Sequence, residues 1–132
     1  MKHSYRTALL IAAAFLMMFG AVGDAFVVVP DLHGDLVEIG VRPTVLGGTV
    51  LHLYFAGIAM FGFALMVSAA AIQALCGIPP ARIPLAVIAV IYTALGVMAF
   101  SRSHNPHHLG PLAMGVLLGA ALAIPGSKRS LT

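Results

Sequence analysis

Apolar residues in this chain come in four long blocks, separated by short segments rich in polar residues, proline or glycine. The block 49–75 reads TVLHLYFAGIAMFGFALMVSAAAIQAL and carries no charged residue. A helix needs about 20 apolar residues at 1.5 Å each to cross a hydrocarbon core. This block exceeds that length, and its strongly polar side chains, His52 and Gln73, stand near its two ends. It predicts a spanning helix beside which the other blocks pack.

The first block, 7–29, follows a short basic stretch, MKHSYR, and is interrupted only by Asp24. Two readings compete. A basic n-region, an apolar run and Ala21-Val22-Gly23 fit a cleavable signal peptide. The apolar run resumes as Ala25-Phe26-Val27-Val28-Val29, and its total length suits an uncleaved span, which is the favoured reading. Pro30 is expected to end it. The segment 31–48 then reads as a polar connection with one short interfacial helical turn, punctuated by Pro43 and Gly47-Gly48. Three prolines and a glycine in the stretch from Cys76 through Pro84 predict a tight linker. The third span is expected at 84–100, with proline in its first turn. The fourth is expected at 109–124, after the polar loop SRSHNPHH and before Pro125-Gly126.

These blocks predict an all-α, integral membrane four-helix transmembrane bundle forming one domain over 1–132. Counting Lys and Arg orients it. With the N-terminus inside, Lys2, Arg6, Arg82, Lys128 and Arg129 face the cytoplasm, against Arg42 and Arg102 outside. The expected topology is N-in/C-in, in a bacterial inner membrane.

Composition agrees. Of 132 residues, 61% are hydrophobic and 8% charged, with mean hydropathy +1.04. Soluble domains average about 25% charged residues. The net charge of +3 does not point to nucleic acid, because the basic residues stand singly or in pairs near span ends. The single cysteine, Cys76, cannot form an internal disulfide.

Without water to drive association, spanning helices meet through small residues. In the fourth block Pro111, Gly115, Gly119 and Ala123 recur every four positions and predict a smooth packing ridge. Ala64 with Ser68, and Ala89 with Thr93, offer similar surfaces. Tyr54, Tyr92 and Gln73 read as ordinary interfacial or interhelical hydrogen-bonding residues.

The candidate chemistry is a polar cluster on the outer side: Asp24, His52, His104, His107 and His108. Ionisable groups inside spans cost roughly 2.5–3.5 kcal/mol on insertion scales, so they usually meet a partner or a cavity. Asp24 and His52 are expected at similar depth on adjacent helices and therefore as a pair. Imidazoles with a carboxylate suit a divalent transition metal, with His52, His104, His107 and His108 as ligands. Haem fits less well, because only His52 is clearly inside a span. The bland reading, in which the pair only satisfies buried polarity, carries more weight.

No complete acid–base or nucleophilic set is present. The expected role is a non-enzymatic accessory or self-associating membrane component, embedded in lipid as a homo-oligomer or in a larger complex. The alternative is a metal-binding, small-solute or proton-handling protein that uses the outer cluster.

Overall fold

The computed structural model describes residues 2–104 and 106–124; the side chains of Lys2, His3 and His107 fall outside that description. So do Pro125-Gly126, Lys128 and Arg129, on which part of the expected orientation rests. The described residues are helical almost throughout and contain no strand. The helices are α1 (Lys2–Gly23), α2 (Val29–Glu38), α3 (Pro43–Leu75), α4 (Arg82–Ser103) and α5 (Leu109–Ala123). A π-helical segment, Asp24–Val28, joins α1 to α2, and a 3-10 turn, Pro106–His108, precedes α5.

Pro30 does not stop the first helix. In a regular α-helix its ring would strike the carbonyl of Phe26, four residues back. The π segment removes the conflict by widening the turn just before it. There the Val29 N–H donates to the Asp24 carbonyl, five residues back. The helix therefore runs unbroken from Ser4 to Glu38, 35 residues. That is about 52 Å at 1.5 Å per residue.

The connection expected over 31–48 shrinks accordingly. Asp31, Asp35 and Glu38 lie on α2, and α3 begins at Pro43. Proline suits that position because the first-turn N–H has no intrahelical acceptor. Two glycine turns close the long helices. Gly40, at φ +72°, lets Val41 N–H reach the Leu36 carbonyl and Gly40 N–H reach Val37. Gly77, at φ +75°, does the same for Ile78 with Gln73 and for itself with Ala74. Both are Schellman caps, whose left-handed residue is most cheaply glycine.

Packing does not follow chain order. α1 lies between α3 and α5, and α4 packs on the other side of α5. α3 and α4 are joined by the short linker yet approach over little of their length. Where they meet, the rings of Phe63 and Tyr92 lie edge-on at 6.4 Å. α4 and α5 are much closer. A Cβ built on Gly115 would sit 2.8 Å from the Ala89 carbonyl oxygen, and one on Gly96 would sit 2.7 Å from Leu112 Cα. These two contacts fix α4 and α5 as antiparallel neighbours in backbone contact.

The core is narrow and built largely from small side chains. Leu10, Met17, Val67, Ile88 and Leu118 are fully buried, among Ala13, Ala64, Ala70, Ala71, Ala74 and Ala121. Large apolar groups point outward instead, including Phe15, Phe19, Phe26, Phe55, Ile58 and Ile83. Three helices, Ser4–Glu38, Pro43–Leu75 and Arg82–Ser103, are long and apolar enough to cross a membrane. α5 is equally apolar, but its 15 residues give only about 22 Å. The expected fourth span is thus shorter than the roughly 30 Å of a hydrocarbon core.

Candidate functional site

Asp24 opens the π segment and is half-buried. Beside it, α1 and α3 enclose an apolar cavity of about 250 Å³. Its lining includes Ala21, Ala25 and Val29 from one helix and Leu53, Gly57 and Phe61 from the other. The stretches 21–29 and 53–61 thus lie on opposite walls of the cavity.

His52 lies on α3, one residue outside that lining. The imidazole is exposed, and its Nδ1 donates to the Gly48 carbonyl at 2.8 Å, one turn back on its own helix. Among the described residues, no hydrogen bond or ion pair joins Asp24 to His52, and the helices run past both block ends from which their equal depth is read.

The remaining imidazoles gather at the α4–α5 connection. His104 adopts a left-handed conformation, φ 52°, at the C-cap of α4, with its N–H on the Phe100 carbonyl. Its ring lies 5.9 Å from that of Phe100. His108 is the N-cap residue of α5 and is half-buried. His107 lies outside the described side chains. Among the described residues, no three His, Cys, Asp or Glu side chains stand close enough to hold a metal ion.

The structure instead singles out Tyr92 of α4, which is 2% exposed and whose hydroxyl has no hydrogen-bond partner. Buried hydroxyls nearly always find one. Tyrosine read as an ordinary interfacial residue, because nothing in the local pattern tells an inward Tyr from a lipid-facing one. The only available signal was that Tyr92 falls on the Leu85, Ile88, Ala89, Gly96 face of α4.

The packing ridge of α5 divides. Gly115 is used within the chain, against Thr93 and Ala89. Gly119 has no neighbouring atom within 4 Å of an added Cβ, Pro111 is half-buried and Ala123 is exposed. The stripe buried in the chain is Met114, Leu118 and Ala121, about one residue around the helix. An open groove of about 650 Å³ runs beside Gly115 and Gly119, bordered by Val90, Ala94 and Val97 of α4.

The class these features define is a helical protein with three helices of spanning length and apolarity. Comparison with protein-family models, with curated proteins and with solved structures gives no match.

Proposed function

We propose that this chain is a non-enzymatic, four-span component of a bacterial inner membrane that works by associating with a second copy or a larger membrane complex. One observation carries the reading: bulky apolar side chains face outward while small ones face inward along the long helices. Such a surface suits lipid as solvent and helix faces as partners. α5 crosses as the fourth span together with the 3-10 turn before it, which adds about 6 Å at 2 Å per residue. A tilted neighbourhood or locally thinned bilayer absorbs the rest. The N-in/C-in orientation follows from the five basic residues on one side against two on the other.

The α4–α5 groove with Gly119 is the contact surface in this reading. Purification in mild detergent, followed by crosslinking and light scattering, tests it. A fixed oligomer that Gly119→Leu dissociates is expected. A monomer at every concentration, crosslinking to nothing in native membranes, would overturn it.

A second reading has a specific observation in its favour. Asp24 is half-buried in the first long helix and the Tyr92 hydroxyl is buried without a partner, the kind of polar groups inside the helix set that a proton- or small-solute-handling site uses. Vesicles loaded with a pH-sensitive dye separate the readings: proton flux lost in Asp24→Asn favours this one, and no flux in either protein removes it.

A further inference from the structure

Arg6 lies where α1 enters the apolar core, immediately before the run that begins at Thr7. An arginine at that position usually extends its head into water. This one turns inward: Arg6 is 8% exposed, and its Nε is buried without a hydrogen-bond partner. The level is the end of the molecule where α3 turns into α4, since Ser4, Thr7 and Ala8 share a cleft with Ala74, Leu75 and Gly77.

Among the described residues, its charge has no carboxylate within reach. The protein has four side-chain acids, Asp24, Asp31, Asp35 and Glu38. The nearest, Asp24, is 18 positions along the same helix, about 27 Å away at 1.5 Å per residue. A carbonyl exposed at this end, that of Leu122 near the close of α5, is already engaged by the Arg82 guanidinium. Arginine cannot shed its charge as a buried lysine does, because its proton is held too tightly. An unpaired buried cation is strongly unfavourable. A second guanidinium, that of Arg82, stands at the same end and adds to the positive field.

We propose that Arg6 is an anion-binding residue that takes a phosphate group at the membrane–water boundary, supplied by the headgroup of an anionic phospholipid. The inference rests on the spanning reading of α1, which puts Arg6 at headgroup depth. A planar guanidinium engages phosphate through two parallel N–H···O bonds, a geometry a lysine ammonium does not reproduce.

Native mass spectrometry of the full chain, stripped of lipid and then titrated, tests this. Phosphatidylglycerol, phosphatidylcholine and inorganic phosphate are the three probes. The expected result is one tightly held phosphatidylglycerol, at least tenfold preferred over phosphatidylcholine, with the preference lost in Arg6→Gln and weakened in Arg6→Lys. Saturable binding of inorganic phosphate with the same Arg6 dependence, and no lipid preference, would assign the site to a free anion and overturn the lipid source. Equal binding of both lipids by the wild type, or an unchanged preference in Arg6→Gln, would overturn the site itself. Thermal unfolding of the wild type in mixed micelles stands even if the variants do not fold. A rise in Tm with phosphatidylglycerol but not phosphatidylcholine is expected, and identical values contradict the proposal. A monomeric protein that keeps the preference would sink the associating role and leave this site standing.

Discussion

Gly115 shows what a single position decides. Its missing Cβ is what allows α5 to lie against the backbone of α4 at Thr93 and Ala89. Those neighbours include main-chain atoms, which cannot swing aside as a side-chain tip can. Gly115→Ala is therefore expected to push α4 and α5 apart and lower stability by about 1–3 kcal/mol, the usual range for overpacking. Gly119→Ala meets nothing within the chain and should stay within about 0.5 kcal/mol. Unfolding of both variants in detergent checks the pair, and equal losses would refute the close approach. Tyr92 makes the converse point. Its hydroxyl is buried without a partner, so Tyr92→Phe removes a desolvated group and should leave stability unchanged or raise it by about 1 kcal/mol. A marked loss in the same assay would mean that the hydroxyl is bonded in the membrane. The GxxxG spacing was legible in the sequence, but which glycine met a neighbour was not. That depends on how α5 rotates, and Met114, Leu118 and Ala121 set the rotation by filling the core.

At the scale of elements, apolar length was easy to read and proline was misleading. The end of α3 at Leu75 and the limits of α5 follow the blocks, because hydropathy changes sharply there. Pro30 was expected to stop a helix that in fact runs on to Glu38. The rule for proline describes a regular α-helix, and the π segment is the local departure that evades it. The turns obey local chemistry closely. Gly40 and Gly77 both sit at positive φ, where a Cβ costs roughly 1–2 kcal/mol. Gly40→Ala should therefore destabilise by about that amount, whereas Gly34→Ala, inside α2 with open space around it, should stabilise by about 0.5–1 kcal/mol. Hydrogen exchange of the α2 amides, slower in Gly34→Ala and faster in Gly40→Ala, is the expected outcome. The reverse order would mean that α2 does not end at that turn.

For the whole molecule, the governing relation is between helix length and bilayer thickness. The Ser4–Glu38 helix and α3 exceed a hydrocarbon core by about 20 Å each, while α4 matches it. In the spanning reading proposed above, the excess projects beyond the apolar region as the α2–α3 hairpin, which carries Asp31, Asp35 and Glu38. Acidic residues thus collect at one end, and Arg6 and Arg82 stand at the other. This segregation is what the proposed orientation rests on, and among the described residues it leaves Arg6 without a carboxylate partner. The charge asymmetry could be counted from the sequence. Arg6 itself passed as one more boundary cation, since burial of a particular guanidinium depends on how α1, α3 and α5 meet.

The sole cysteine provides the sharpest test of that arrangement. Cys76 is exposed at the turn after α3, the end assigned to the cytoplasm. Intact spheroplasts carrying the wild type are treated with a membrane-impermeant maleimide, alongside spheroplasts carrying the double variant Arg42→Cys, Cys76→Ser. The wild type should stay unlabelled until the membrane is permeabilised, and the double variant should react at once. Immediate labelling of Cys76 in sealed spheroplasts, with the double variant protected, would contradict the orientation and the lipid contact built on it.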